Sequence, residues 1–431
     1  MEKDKKNILV VNLQNPSRKK HFQELKKYGI NLILMMDDPT WELDYADMYF
    51  KANVRNIEES IKKAKEINEM IHIDGVIAIV EHAVPTAAAI AKELNLTYIS
   101  IETSYRARNK FEMKEAYKKN GIKVAKYELI SEYNEAKEFA IKNGYPIVLK
   151  PIIGGGSICV VKINNEDELR KSFDKLKEDI KDIYSIDSIY DSTVKKYGDR
   201  IILVEEYIDG IEMSVESVIF DGKTDVLAIH EKEMSGEINI FPEAFFCTPA
   251  SFSKNMQQYI IETTQKSNEA LGINYGLTHT EYRLTENNEL YILETGARMG
   301  GGPIFESVLN STGVNMMHAL IDISLGKQPK YKKFKKQKVI ASYLYYSLIQ
   351  KDAKITNMHF ENLEKVINHP NLIKLYLYRK NGDIIKKSHQ TMSHSHMSVT
   401  GETREEVINL THELSKYFNF ELETIDSNDK K

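Results

Sequence analysis

The stretch EYRLTENNELYILE, residues 281–294, alternates polar and apolar side chains on either side of two adjacent asparagines. Period-two alternation marks a strand with one buried face, and Asn287 and Asn288 both tolerate the left-handed backbone of a tight turn. The segment reads as a β-hairpin with a two-residue turn, pairing Glu286 with Glu289 and, further out, Glu281 with Glu294. Tyr282, Leu284, Tyr291 and Leu293 then share the opposite, packed face. Directly opposed strand residues hold their Cβ atoms about 5 Å apart, so two facing carboxylates repel unless a cation lies between them. One or two carboxylates with substrate phosphates is how Mg²⁺ is usually held. The alternative is a solvated hairpin whose glutamates splay apart.

Immediately downstream, TGARMGGGPIF puts Arg298 four residues past Glu294, followed by Gly300 and Gly301. An arginine there can neutralise charge developing on a phosphoryl group or an oxyanion, and the glycines permit close approach of backbone to a ligand. A structural salt bridge would use the same residue. Upstream, in YPIVLKPIIGGGSICVVKI, Gly154, Gly155, Gly156 and Ser157 join two strand-like segments. Side chains this small let consecutive N–H groups close over an anion, with Lys150 supplying a point charge. A flexible turn beside a surface lysine reads the same way. The phosphate-loop pattern G-x-x-x-x-G-K-[ST] and a dinucleotide fingerprint after the first strand are both absent.

At roughly 150 residues per domain, 431 residues allow two to four compact units. The first hundred residues alternate strands (NILVVNL, NLILMMDD, DGVIAIVE, TYISIE) with amphipathic helices, the pattern of an open parallel α/β sheet. In such sheets the ligand crevice lies beyond the carboxyl ends of the strands, which points to residues 15–18 and to Glu81 and His82. A mixed α+β body follows. In the last ninety residues or so, LIKLYLYRKNGDII reads as a hairpin turning at Asn381 and Gly382, and Thr403 with Glu406 as a capping box. SHSHMSV reads as a half-exposed strand; His389, His394 and His396 lack the cysteine or carboxylate that would complete a metal set. The expected units are 1–103, 104–195, 196–330 and 331–431.

Lys and Arg (59) nearly balance Asp and Glu (63), and 42% of residues are hydrophobic, which excludes both a nucleic-acid-coating surface and a disordered polyelectrolyte. Two cysteines cannot staple a chain of this size. No run approaches the roughly 20 apolar residues of a membrane span, and a cytoplasmic location is expected.

Taken in order, these pieces resemble the ATP-grasp superfamily, and within it the carboxylate–amine ligases of the L-amino acid (dipeptide) ligase type. The resemblance implies a pre-ATP-grasp α/β domain (1–103), an ATP-grasp body in two parts (104–195 with the glycine-rich loop, 196–330 with the hinge strand and metal site), and a small C-terminal α+β lobe. It implies ATP and Mg²⁺, or Mn²⁺ in its place, as cofactors, and small carboxylates and amines as substrates. Neither nucleic acid nor membrane is an expected partner, and a homodimer is admitted.

Carried over by motif, Lys110 and Lys150 would bind phosphate under the loop Gly154, Gly155, Gly156 and Ser157. In LVEEYIDGIE, Glu205, Tyr207 and Ile208 would form the adenine hinge, and Glu212 would meet the ribose. Glu281 and Glu294 would bind the metal, and Arg298 would stabilise the acyl-phosphate and tetrahedral species. Glu243, in FPEAFFCTPA, would bind a substrate α-amino group, with Glu81, Gly300 and Gly301 also near the substrate. Two positions depart from the pattern: Gly296, where many relatives carry Asn, and Phe246, where the dipeptide ligases commonly carry His. An ATP-grasp ligase of purine or cofactor biosynthesis and a non-catalytic nucleotide-binding protein are the other readings.

Overall fold

The computed structural model describes residues 5–184, 187–234, 241, 243–389 and 393–425. Near its N-terminus, β1 (Asn7–Val11), β2 (Asn31–Met36), β3 (Met48–Lys51) and β4 (Gly75–Ala78) form a parallel sheet in the order β3-β2-β1-β4. Runs such as ILVV and LILMM are buried throughout, as required of strands covered by helices on both faces. TYISIE is not a strand. Ser100 accepts a hydrogen bond from Thr103 N–H at 3.0 Å and caps the helix Ile101–Arg106, so a local cap outweighs strand propensity; the fourth strand is instead β3, MYFK.

A second, antiparallel sheet contains β5 (Tyr127–Ile130), β6 (Ile147–Pro151), β7 (Val161–Ile163) and β8 (Ile202–Glu206) in the order β5-β8-β6-β7. Phe139, Leu169, Phe173 and Ile180, from the helices Tyr133–Asn143 and Glu166–Tyr184, complete its core.

The largest sheet begins with β9 (Ile211–Phe220), β10 (Lys223–Met234), β11 (Glu243–Thr248), β12 (Gly276–Leu284), β13 (Leu290–Gly296) and β14 (Val339–Tyr345). The remaining strands are β15 (Ala353–Phe360), β16 (Leu372–Leu377), β17 (Ile384–Ile385), β18 (Ser395–Gly401) and β19 (Phe418–Thr424). The sheet runs β13-β12-β9-β10-β11-β14-β18-β16, continuous across residue 330, while β15, β17 and β19 form a small separate sheet. The expected hairpin at Asn381 and Gly382 is therefore not formed, because β16 and β17 lie in different sheets. The turn residues bond to β15 instead: Gly382 N–H donates to Ile355 C=O at 2.7 Å, and Asn381 Oδ1 accepts from Met358 N–H at 2.7 Å.

His394, just before β18, and His396 on it are buried rather than half-exposed. His394 Nε2 lies 3.2 Å from Ser347 Oγ, and Tyr378 O–H bonds His396 Nδ1. His389 lies in a separate short helical turn. Thr403 caps the helix Arg404–Ser415, but the Glu406 carboxylate accepts from Glu402 N–H and not from the cap residue.

The decisive hairpin reaches the expected pairing by a different route. The loop is 286–288, with Asn288 at φ 60°. Leu284 pairs with Leu290, Arg283 with Tyr291 and Tyr282 with Ile292. A bulge at Leu293 then shifts the register so that Glu281 faces Glu294. The apolar face is accordingly Tyr282, Leu284, Leu290 and Ile292, not Tyr291 and Leu293.

Where β9 begins, Gly210 has φ 147°, and a Cβ there would sit 2.2 Å from Leu284 C=O, a backbone atom. Gly210→Ala should therefore pry β9 from β12 and destabilise the fold by about 1–3 kcal/mol, measured as a fall in the urea midpoint. Among the described residues, no helix is long and apolar enough to cross a membrane.

Candidate active site

The four-stranded antiparallel sheet and the largest sheet meet at residues 207–210, which run from β8 into β9, and a cleft opens between them. Glu212 of β9 and Glu281 and Arg283 of β12 form part of one wall, and the same strand face continues beneath it. Side chains at i and i+2 of a strand share a face, which groups Glu212, Ser214 and Glu216 on β9 with His279, Glu281 and Arg283 on β12. The register places Arg283 opposite Glu212, Glu281 opposite Ser214 and His279 opposite Glu216. Two of these pairs are salt bridges: Arg283 grips Glu212 at 2.9 Å, and His279 Nδ1 is in close contact with Glu216.

Glu281 lies between them and takes Lys232 Nζ from β10 at 2.6 Å and His279 Nε2 at 3.2 Å. Burial opposes ionisation of Glu281, but Lys232 and His279 hold it well below the usual carboxylate range. Burial likewise opposes a charge on His279, and Glu216 and Glu281 overcome it, raising the ring to about 9.

Glu294, across the register, accepts from Lys110 Nζ at 3.0 Å. Lys110 opens the helix Lys110–Lys119, which Asn109 caps, and also donates to Gly154 C=O at 3.3 Å. Lys150, on β6, pairs with Glu205 of β8 at 2.7 Å. Glu205 is buried and held low, against the cost of its own burial, by Lys114 and Lys150. Burial pulls Lys114 down to about 8. Glu205 thus gives one carboxylate to both Lys114 and Lys150 from its place on β8.

At the hinge, Ile208 C=O accepts from Arg283 at 2.8 Å, and Tyr207 stacks on Phe241 with centroids 6.4 Å apart. Ala125, Val148, Ile208 and Leu293 give this end an apolar lining suited to a flat ring. Gly154, Gly155 and Ser157 line the opposite side; Gly154 has φ 120°, a conformation open to glycine alone in practice.

Beyond β13 the parallel sheet adjoins the cleft. Arg298 Nε lies 2.5 Å from Glu81 Oε2, and Arg108 sits 3.3 Å from the same carboxylate. Burial works against the charge on Glu81, but Arg298 and then Arg108 bring it down to about 2. A Cβ at Gly296 would lie 3.1 Å from Glu81 Oε2 and 3.5 Å from Arg298 Cζ, so this glycine leaves room for the pair. Of the two glycines expected near substrate, Gly300 is buried with both backbone groups engaged inside the protein, whereas Gly301 is exposed and faces open space. Glu243 opens β11 opposite Met234, and its side chain lies outside what is described. Phe246 is buried, with Lys232 Nζ 5.6 Å from its ring centroid.

Residues 143–306 match the family model of the ATP-grasp domain. The chain is 27% identical over 274 residues to an alanine–anticapsin ligase of Bacillus subtilis strain 168, covering 62% of this chain and 57% of that one. It is 23% identical over 334 residues to an L-arginine-specific L-amino acid ligase of Bacillus subtilis, covering 75% and 76%. The fold superposes on an L-amino acid ligase from Bacillus licheniformis with a TM-score of 0.84 at 22% identity, over 98% of this chain and all of the other.

Several residues of this cleft were not singled out from the sequence. His279 and Arg283 flank Glu281 at two residues' distance and Lys114 follows Lys110 by one helical turn, so strand and helix periodicity could have found them. Lys232 had no such signal, since only the β9–β10 pairing brings it to Glu281.

Proposed function

We propose that the protein is an ATP- and Mg²⁺-dependent carboxylate–amine ligase. It would phosphorylate a carboxylate with the γ-phosphate of ATP and pass the acyl group to an amine, forming an amide and releasing ADP and phosphate. The observation that carries this reading is the convergence of Lys110, Lys150, Glu281 and Glu294 on one cleft, with Arg298 and Glu81 adjoining. A protein that only bound nucleotide would have little use for two opposed carboxylates at the phosphate end. The names of the relatives favour amino acids as substrates.

Glu281 and Glu294 fit Mg²⁺ in the chemistry of their donors. The two carboxylates would supply part of an oxygen sphere that the nucleotide phosphates complete. When bound between Glu281 and Glu294, the ion would offset phosphate charge. Lys110 and Lys150 would hold the phosphates and the glycine loop would exclude water from the acyl phosphate. Arg298 would stabilise the oxyanion formed as the amine attacks. Glu81, beside Arg298, and Glu243 would orient an amino-bearing donor.

Glu212→Ala should raise the KM for ATP with a smaller effect on kcat, the pattern of an interaction made equally in ground and transition states. Steady-state kinetics across ATP concentrations checks it. The reading as a whole is tested by a phosphate-release screen with ATP, Mg²⁺ and pairs of amino acids, followed by mass spectrometry. A condensation product with one ADP per bond supports it; release of phosphate without any amide, or AMP as product, overturns it.

A further inference from the structure

Glu216 lies on β9, has no solvent exposure, and is absent from the cleft lining. Its two carboxylate oxygens serve different donors. Oε2 accepts from Gly300 N–H at 3.0 Å, in the loop that carries Arg298, and Oε1 contacts His279 Nδ1. The far ring nitrogen, His279 Nε2, lies 3.2 Å from Glu281 Oε1. The carbonyl of Gly300 is held from the other side by Arg18 of the N-terminal unit, at 2.9 Å. Nothing larger than glycine fits at the node, since a Cβ at 300 would lie 2.8 Å from His279 Nδ1.

We propose that Glu216 is a positioning residue that holds the Glu281 carboxylate, through His279, and the Arg298 loop, through the Gly300 peptide, in one fixed frame. A salt bridge to His279 alone would need only one carboxylate oxygen. The second oxygen spans to a backbone N–H 84 residues away, and that division requires a carboxylate. Glutamine offers one acceptor and one donor, so keeping the Gly300 N–H bond turns its NH2 toward His279, in place of the second acceptor oxygen that a carboxylate presents to the ring. The two steps proposed above, phosphoryl transfer beside Glu281 and amine attack beside Arg298, would then share one support. The inference rests on the proposed function for the identity of what Glu281 holds.

The test is E216Q, checked for fold by thermal unfolding and gel filtration, then titrated calorimetrically with ADP in EDTA and in Mg²⁺. Affinity for ADP in EDTA should stay within about twofold of wild type, because the nucleotide contacts are untouched. The extra affinity conferred by Mg²⁺ and the kcat should both fall by about 10- to 100-fold, as when a partner behind a metal ligand is lost. G300A, which keeps the Glu216 carboxylate but crowds His279 and Ile304, should show the same signature and decides the matter if E216Q does not fold. Retention of the Mg²⁺ gain and of kcat in a folded E216Q overturns the inference alone. A wild-type protein whose ADP affinity ignores Mg²⁺ overturns the proposed function and this inference with it.

Discussion

Replacing Glu294 with glutamine is expected to abolish ADP formation while leaving the fold intact. Glutamine matches glutamate in shape and still offers an oxygen to Lys110, which lies 3.0 Å from the carboxylate. The side chain is 30% exposed to the cleft, so the change leaves no buried group stranded. What it removes is one negative charge from the pair that would meet Mg²⁺, at a register position directly opposite Glu281. Losing a residue behind a metal ligand typically costs about 10- to 100-fold, and losing the ligand itself should exceed about 100-fold. Coupled ADP release with circular dichroism as the fold control gives the answer; wild-type turnover in a folded variant would remove Glu294 from the metal site.

Arg298→Ala is expected to cut turnover by about 10² or more with ATP still bound, the size of effect seen when a preorganised oxyanion donor is removed. Arg298 is absent from the cleft lining that includes Lys150, Tyr207 and Glu212, so calorimetric affinity for ATP should hold. A second consequence is local. Of the charges that lower Glu81, Arg298 is the largest, and Arg108 remains at 3.3 Å. The Glu81 carboxyl should therefore rise from about 2. Near-normal turnover in Arg298→Ala would show that the guanidinium serves the Glu81 pair and not the reaction.

The parts of this molecule legible in its sequence are those written in local pattern. Unbroken apolar runs announced β1, β2 and β4, and alternation with the asparagines announced the β12–β13 hairpin. The Glu281–Glu294 opposition was read correctly from a wrong turn: the loop is one residue longer than expected, and the bulge at Leu293 restores the register. Bulges have no reliable signature in a single sequence, and this one moves Leu293 from the core into the cleft wall. Not read from the sequence were the lysines that take each carboxylate, Lys232 on Glu281 and Lys110 on Glu294. Those contacts depend on sheet order and on packing between sheets. The C-terminal strands misled for the same reason. LIKLYLYRKNGDII contains a real turn, yet which strands its flanks join is decided by β15 and β18, elsewhere in the chain.

The central claim is that a carboxylate is activated as an acyl phosphate beside Glu281 and Glu294. An acyl phosphate delivers one oxygen of the donor carboxylate to inorganic phosphate, whereas adenylation would deliver it to AMP. Running the ligation with donor labelled with ¹⁸O in its carboxylate and analysing the products by mass spectrometry separates the two. The account predicts one labelled oxygen in phosphate for each amide formed, with ADP as the nucleotide product; label in AMP, or unlabelled phosphate, would contradict it.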